Sequence, residues 1–584
     1  MRRTTLVMTA ALLALASGSS TLRAQPAQAM APATLLEHSE YIDSFDGTRL
    51  AVTVFRPARG GERVEGRFPV IVTQDRGEAG ERARTRQFFV DHGYVVVAQD
   101  RRGTGASFGT QTGFVTREDL RDAKAVIEWA ARQDFSTGAV GAMGCSNQGV
   151  WQYGVAALRP AGLKAIAPAC ASPAFFDDAV SLNGVPMFEL RKAPYDATCP
   201  DAGGSEPASP ARPVDSDVDG AMLREALATR GCTAPMLGQY WLNMPRDGWN
   251  AFGVYRPAIE DSPITGWREI RDSGVAILQL GGWFDAAVAG QLLGQSLWGG
   301  RVIMGPWVHG NRSPVGATFP AGQLDLNGEM LAWFDRHLKG LATDRPTTGI
   351  AYYVVNAAAG EEWRQSSSWS EAGGTPTRYF LHGSALSREA PGTDASQAPL
   401  PGEGVRWFDG RYAPLARWWD GDMAGTDRLS LTHTSAPLTH DTEVIGTPVA
   451  RLWIASDDPD LNLYAVVEDV APDGRSSYVT DGRLRASWRA VADPPWGATG
   501  ANWHRGLAQD LRALEPGAPT ELVFDLFPIA YRFRAGHRIR LALTTSIGQA
   551  YQQPPSAGAT LPEAVLLADP QHASAIELPL ADAR

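Results

Sequence analysis

At 584 residues the chain exceeds what one hydrophobic core usually holds, and two or three domains are expected. An apolar fraction of 44 % with 20 % charged residues excludes a disordered chain. A formal charge of −11 with no basic run argues against nucleic acid and anionic membranes as partners, and eighteen tryptophans point to aromatic-lined surfaces or a large β portion.

The N-terminus begins Met1-Arg2-Arg3, continues as an apolar run from Leu6 to Ala16, and reaches Ala27-Gln28-Ala29 through small and polar residues. A basic start, a short apolar core and an Ala-x-Ala exit read as a secretory signal peptide over residues 1–29, with an alternative cut after Ala24. The run is too short to span a bilayer and no later stretch of about 20 apolar residues follows, so a secreted or periplasmic protein with no membrane contact is expected. Export permits disulfides. Cys199 and Cys232 flank a segment rich in Gly, Pro, Ser and Asp and are expected to staple it, while Cys145 and Cys170 end two successive strands and are either paired or simply buried. With no Cys-x-x-Cys and no neighbouring His pair, no metal site is expected.

Residues 37–57 pattern as a hairpin turning at Asp46-Gly47. A buried strand at 69–73, a helix to about His92 and a strand at 94–99 follow, closed by Asp100-Arg-Arg-Gly103, where Arg101 and Arg102 offer Asp100 an ion pair. Leu120, Ala123, Val126, Ile127 and Ala130 share one face of a helix over 116–132. Gly141-Ala-Met-Gly-Cys-Ser-Asn-Gln-Gly-Val150 then reads as a strand that stops at Ser146 on a sharp turn and starts a helix, with a further strand at 163–169. The common form of that turn is Gly-x-Ser-x-Gly; here the second glycine comes one place late, at Gly149. Alternating strands and helices imply a mostly parallel sheet covered on both faces.

That alternation stops near Ser172, and residues 173–265 read as an inserted cap with helical pieces near 219–230. It resumes with a strand at 275–280, a helix from about 286, a strand from Arg301 and a helix near 325–338. Residues 37–172 and 266–345 thus form one domain. From 346 to 584 short alternating strands between Gly, Pro and Asp indicate an all-β sandwich or jelly roll.

A serine hydroxyl needs a base, an acid to orient that base, and donors for an oxyanion. Two strands downstream of Ser146 end in matching fashion, one running through Gly-Gly-Trp-Phe into Asp285 and the other through Gly-Pro-Trp-Val into His309. Each residue has a plainer alternative. Asp285 can cap the helix after it, and His309 can close a turn with Gly310-Asn311. His337 is a rival base, but it lies within an amphipathic helix and reads as a surface or packing residue. The order Ser146, Asp285, His309 is that of α/β-hydrolases.

The motifs Gly-Cys-Ser-Asn-Gln-Gly, Gly-Gly-Trp-Phe-Asp and Gly-Pro-Trp-Val-His resemble the nucleophile, acid and base motifs of cocaine esterase-like hydrolases of the X-Pro dipeptidyl-peptidase family. Further likenesses are Asp100-Arg-Arg-Gly103, Trp333-Phe-Asp335, Leu338-Lys-Gly340, Val470-Ala-Pro-Asp-Gly-Arg-Ser476 and Phe533-Arg-Ala-Gly-His-Arg-Ile-Arg540, so the resemblance spans about residues 37 to 550. It implies an α/β-hydrolase fold with an inserted helical cap and a C-terminal galactose-binding-like jelly roll. It also implies ester or amide hydrolysis through an acyl-enzyme, with Ser146 as nucleophile, His309 as base and Asp285 as its orienter. No metal or organic cofactor is implied.

Two positions depart from the family's pattern. Asn147 follows the nucleophile where the family often has tyrosine, though its backbone N–H can still serve the oxyanion. Gln74-Asp-Arg-Gly77 lacks the family's oxyanion tyrosine, leaving Arg76 or Gly77 to supply the second donor. In the related α-amino-acid ester hydrolases carboxylates after the catalytic acid bind an ammonium, but here Ala286-Ala-Val-Ala-Gly290 follows. Asp177 and Asp178 could bind an amine, as an aminopeptidase needs, or be solvated surface acids. Phe175, Phe176, Tyr240, Trp241 and Trp249, with Trp151 and Trp283, are candidates for an aromatic acyl pocket or for core. An esterase acting on a small-molecule ester or amide leads, ahead of an X-Pro dipeptidyl aminopeptidase and a non-catalytic binding protein. Oligomeric state is not legible.

Overall fold

The computed structural model describes residues 34–582, apart from 75–80, 112–114, 187–210, 231–244, 248–261, 312, 314–318, 393–395, 402–421, 498–499, 547–553 and 555–561. The expected signal peptide, the Cys199–Cys232 staple, Arg76, Gly77, Tyr240, Trp241 and Trp249 lie outside the described residues.

The hairpin forms from β1 (Thr34–Asp43) and β2 (Arg49–Arg59), paired antiparallel, with Gly47 at φ 80 in the turn between them. The chain then lays down β3 (Phe68–Gln74), α1 (Glu81–Asp91), β4 (Val95–Gln99), α2 (Arg117–Arg132), β5 (Ser136–Cys145), α3 (Asn147–Ala157) and β6 (Leu163–Ala169). After the helix α4 (Ala221–Thr229) come β7 (Ala276–Phe284), α5 (Val288–Trp298), β8 (Arg301–Val308), α6 (Leu326–Lys339), β9 (Gly349–Tyr353) and β10 (Trp363–Ser366). The strands form one sheet in the order β1-β2-β4-β3-β5-β6-β7-β8-β9-β10. From β4 to β9 neighbouring strands run parallel, and the pairs at either end are antiparallel. Buried on both faces, the central strands are near-continuous apolar runs: Val95 to Ala98 and Arg301 to Val308 are buried throughout.

Helix α2 shows why the local pattern was sufficient. Thr116 and Asp119 form a reciprocal capping box at its start, and Ala123, Val126, Ile127 and Ala130 face the sheet. Helix α5 starts two residues later than expected, because Asp285 Oδ1 accepts the Ala287 N–H in a separate turn ahead of it. The expected Asp100 ion pair is corrected. Arg101 donates to Asp119, Arg102 donates to Asp46 and Asp122, and Asp100 Oδ2 receives the Ala106 N–H and so closes its own loop.

A second sheet, of thirteen strands among the described residues, lies between Thr375 and Asp582, and its described pairs are antiparallel except where Ala385–Ser387 meets Leu431–Ser435. Strand Val449–Ala455 alternates buried and half-buried residues with the period of two expected when one face is covered, whereas Asn462–Val470 is buried on both faces throughout. The two sheets are joined where Val355 exchanges backbone hydrogen bonds with Ala530 and Arg532. Beside that joint, Glu443, wholly buried, accepts from both Arg364 and Arg532.

Candidate active site

Ser146 sits between the end of β5 and the first residue of α3 with φ 62 and ψ −130, a conformation uncommon for any residue with a side chain. Its N–H donates to Ala169 O on β6 at 3.0 Å, and its own carbonyl accepts from Gly149 N and Val150 N. The displaced glycine now has a reason. A Cβ on Gly149 would lie 2.4 Å from Ala171 Cβ and 3.0 Å from Ala169 O, so helix α3 leans directly on the chain leaving β6. A Cβ on Gly144 would lie 2.6 Å from Gln148 Cβ, so Gln148 occupies the room that Gly144 leaves. The first N–H groups of a helix have no acceptor within it, and Asn147, half-buried, carries the first of them beside Ser146.

Strands β7 and β8 are parallel, and a register shift between Gly282 and Phe284 leaves Phe284 opposite Val308. Asp285 and His309, the residues that follow that pair, therefore emerge side by side. His309 Nδ1 lies 3.0 Å from Asp285 Oδ2 and 3.3 Å from Oδ1. Asp285 is 1 % exposed and the His309 side chain 25 %, so the carboxylate is enclosed and the imidazole reaches solvent. Of the two plainer alternatives the turn holds, since Asn311, at φ 53, closes it after His309 by donating its backbone N–H to Val308 O. The helix cap is corrected: α5 begins after Ala287 with no side-chain cap, and Asp285 instead accepts the Ala287 N–H in the turn ahead of it.

Cys145 and Cys170 are bonded to each other, their Cα atoms 5.3 Å apart, which settles the open alternative for this pair. The bond ties the residue before Ser146 to the residue after β6. A ring nitrogen of His309 and the two sulfurs lie within 4.8 Å of one another, so the imidazole stands over the same turn that carries Ser146.

Sequence reasoning missed a buried polar chain under this turn. Tyr153 on α3 donates to Gln279 on β7, Gln279 donates to Gln291 O on α5, and Gln291 donates to Leu280 O. Its signal was present as a glutamine inside the apolar strand Ala276–Phe284. The chain braces the Ser146 helix against the strand and helix around Asp285, and burial holds the Tyr153 hydroxyl well above its ordinary titration range.

Asp177 and Asp178 are corrected from solvated surface acids. Arg246, 2 % exposed, donates to both oxygens of Asp177 and also holds the backbone of Arg505, stacked at 4.6 Å over the Phe176 ring. Asp178 is buried, and its Oδ2 accepts from Ser172 Oγ at 2.6 Å and from Gly290 N on α5 at 2.8 Å. Burial pushes its carboxyl up to about 7 against those two hydrogen bonds, with the charges of Asp177 and Asp285 adding to the rise.

The aromatic candidates divide. Trp151 and Trp283 are corrected as pocket walls: both are at 0 % exposure in the core, and the Trp283 indole donates to Tyr353 O. Phe175 and Phe176 are buried in the same core, at 7 % and 4 %. Phe284, the residue before Asp285, has its ring 6.5 Å from that of Phe319 and 6.4 Å from that of Tyr478, and Tyr478 belongs to the second sheet. His337 stacks at 4.3 Å on Trp333 of its own helix, as expected of a packing residue.

Residues 46–311 match the family described as X-Pro dipeptidyl-peptidase (S15 family), and residues 345–577 match the X-Pro dipeptidyl-peptidase C-terminal non-catalytic domain. Among named relatives, the chain is 28 % identical over 608 residues to a protein named as a serine esterase in Mycobacterium bovis, covering 92 % of this chain and 94 % of that one. It is 27 % identical to the cocaine esterase of a Rhodococcus species, over 88 % of this chain and 92 % of that one. Among solved structures, an α-amino acid ester hydrolase superimposes with a TM-score of 0.70 at 18 % identity, covering 97 % of this chain and all of that one.

Proposed function

This chain belongs to the X-Pro dipeptidyl-peptidase (S15) family of serine hydrolases, and from that premise we propose that it cleaves carboxylic esters or small amides through an acyl-enzyme formed on Ser146. The observation that carries this reading is the Asp285–His309 pair, held at the ends of two adjacent parallel strands beside the strained turn of Ser146. The Ser146 hydroxyl attacks the carbonyl carbon, and its proton passes to the His309 nitrogen that Asp285 does not hold. Asp285 fixes the tautomer and stabilises the imidazolium. The Asn147 N–H receives the developing oxyanion, with Arg76 or Gly77 as its partner donor. Collapse of the tetrahedral intermediate expels the alcohol or amine with the proton from His309, and water repeats the sequence to release the acid.

The scaffold for this chemistry is an α/β-hydrolase fold over 37–172 and 266–345, a cap over 173–265 and a jelly-roll domain from 346 onward. Residues 1–29 direct export to the periplasm or the medium, a destination that suits the Cys145–Cys170 bond. No helix among the described residues is long and apolar enough to cross a membrane.

Esters are favoured over X-Pro peptides by the state of the two acids an aminopeptidase would use: Asp177 is neutralised by Arg246, and Asp178 is enclosed and hydrogen-bonded. A fluorophosphonate should label the wild type and not Ser146→Ala, and an unlabelled, folded wild type would remove the nucleophile assignment. Comparing p-nitrophenyl esters with Gly-Pro-p-nitroanilide ranks the substrates, and a higher kcat/KM on the dipeptide would put peptides ahead of esters.

A further inference from the structure

The disulfide beside the catalytic turn carries a second chemistry. Cys145, half-buried, and Cys170, 2 % exposed, come from adjacent parallel strands, and their sulfurs and a His309 ring nitrogen all lie within 4.8 Å of one another. Asp285 holds Nδ1, so Nε2 faces away from the carboxylate. Two thiolates and an imidazole form a soft donor set, and three such donors on one tetrahedral zinc lie about 3.5–3.8 Å from each other. The imidazole nitrogen, within 4.8 Å of both sulfurs, is at most about 1 Å beyond that spacing, and the sulfurs reach it only by parting from bonding distance, about 2.05 Å, once the bond is reduced. The sequence hides this set because its members lie far apart in the chain and share no short motif; only the strand register assembles them.

We propose that reducing Cys145–Cys170 converts the catalytic turn into a Cys2His site for zinc or a similar borderline-soft divalent cation, and that the bound ion silences hydrolysis. While oxidised, the two sulfurs share their bond and offer no thiolate. A dithiol supplies two electrons and its own two protons, so each sulfur becomes a thiol and the dithiol leaves as its disulfide. A phosphine supplies two electrons, and one water supplies the two protons and the oxygen of the phosphine oxide that leaves. Zinc then displaces the two thiol protons and takes the His309 nitrogen as third ligand, keeping the fourth position for water. His309 so engaged cannot accept the Ser146 proton, a consequence that rests on the function proposed above. Asp285 beneath it acts as the carboxylate that orients a metal-bound imidazole.

The test uses the exported, mature protein in oxidised form and after reduction with a water-soluble phosphine that is removed by desalting, each titrated with zinc chloride and with cobalt chloride. Expected are unchanged p-nitrophenyl ester hydrolysis in the oxidised form and, in the reduced form, a loss of about 10²-fold or more at one zinc per chain, the scale of a lost general base. Chelation should restore activity, and cobalt should give a thiolate charge-transfer band. Both effects should survive in Cys199→Ser/Cys232→Ser and vanish in Cys145→Ser/Cys170→Ser, with thermal melting verifying that each variant is folded. Absence of the cobalt band in reduced, folded protein overturns the site. So does equal zinc inhibition of both redox forms. A cobalt band with hydrolysis unaffected upholds the site and removes His309 as base, so the two failures are distinguishable.

Discussion

Asp285 does two jobs with one carboxylate, and its replacement separates them. Asp285→Asn keeps an oxygen for the Ala287 N–H but offers His309 the wrong partner for its Nδ1 proton. A fall in kcat of about 10⁴-fold with a nearly unchanged melting temperature is expected; a large loss of stability with kcat retained would make Asp285 a structural cap alone. Asp178 sets a different expectation. Its carboxyl is raised to about 7 by burial, so between about 4 and 7 the folded chain holds a proton that the unfolded chain releases. Its contribution to stability is complete at low pH and is lost as pH rises through 7. Melting temperatures between pH 4 and 8 should therefore fall more steeply for wild type than for Asp178→Asn, and parallel curves would refute this account. The partners of Asp177 and Asp178, unlike that of Asp285, were not legible in the sequence, because Arg246 and Gly290 reach them from other segments of the fold.

Secondary-structure elements were the most legible level. Apolar spacing located α2, and apolar runs ending in Asp285 and His309 located β7 and β8, since both kinds of signal are written in neighbouring residues. What the element contributes to the site is spacing. The Phe284–Val308 register places Asp285 beside His309, and the contact of Gly149 with Ala169 and Ala171 seats α3 behind Ser146. Gly149→Ala forces a methyl into a gap of 2.4 Å. Overpacking of this kind costs about 1–3 kcal/mol, and the displaced helix should lower kcat more than it raises KM. Urea unfolding and ester kinetics on the same variant check both halves, and wild-type values for each would show that α3 adjusts freely.

Across the whole molecule, the second sheet is held to the region above the site by Arg246, which joins Asp177 to the backbone of Arg505 and is stacked between Phe176 and Trp503. Removing one partner of a buried ion pair costs about 3–5 kcal/mol, because the other charge is left uncompensated. Arg246→Met should show that loss in thermal or urea unfolding, and Arg246→Met/Asp177→Asn should recover part of it. A double variant no more stable than the single would mean that the backbone contacts to Arg505 dominate.

Residue type, chain order and position at strand ends are written in the sequence itself; they name Ser146, Asp285 and His309 as the candidate triad, and they separate a helix-covered parallel sheet from the β-rich segment after it. Burial and pairing depend on which distant segment arrives, and there the tertiary structure decided. It placed Trp151 and Trp283 in the core and gave Asp177 to Arg246. It also bonded Cys145 to Cys170 beneath His309, because adjacent parallel strands bring their ends together whatever the length of chain between them.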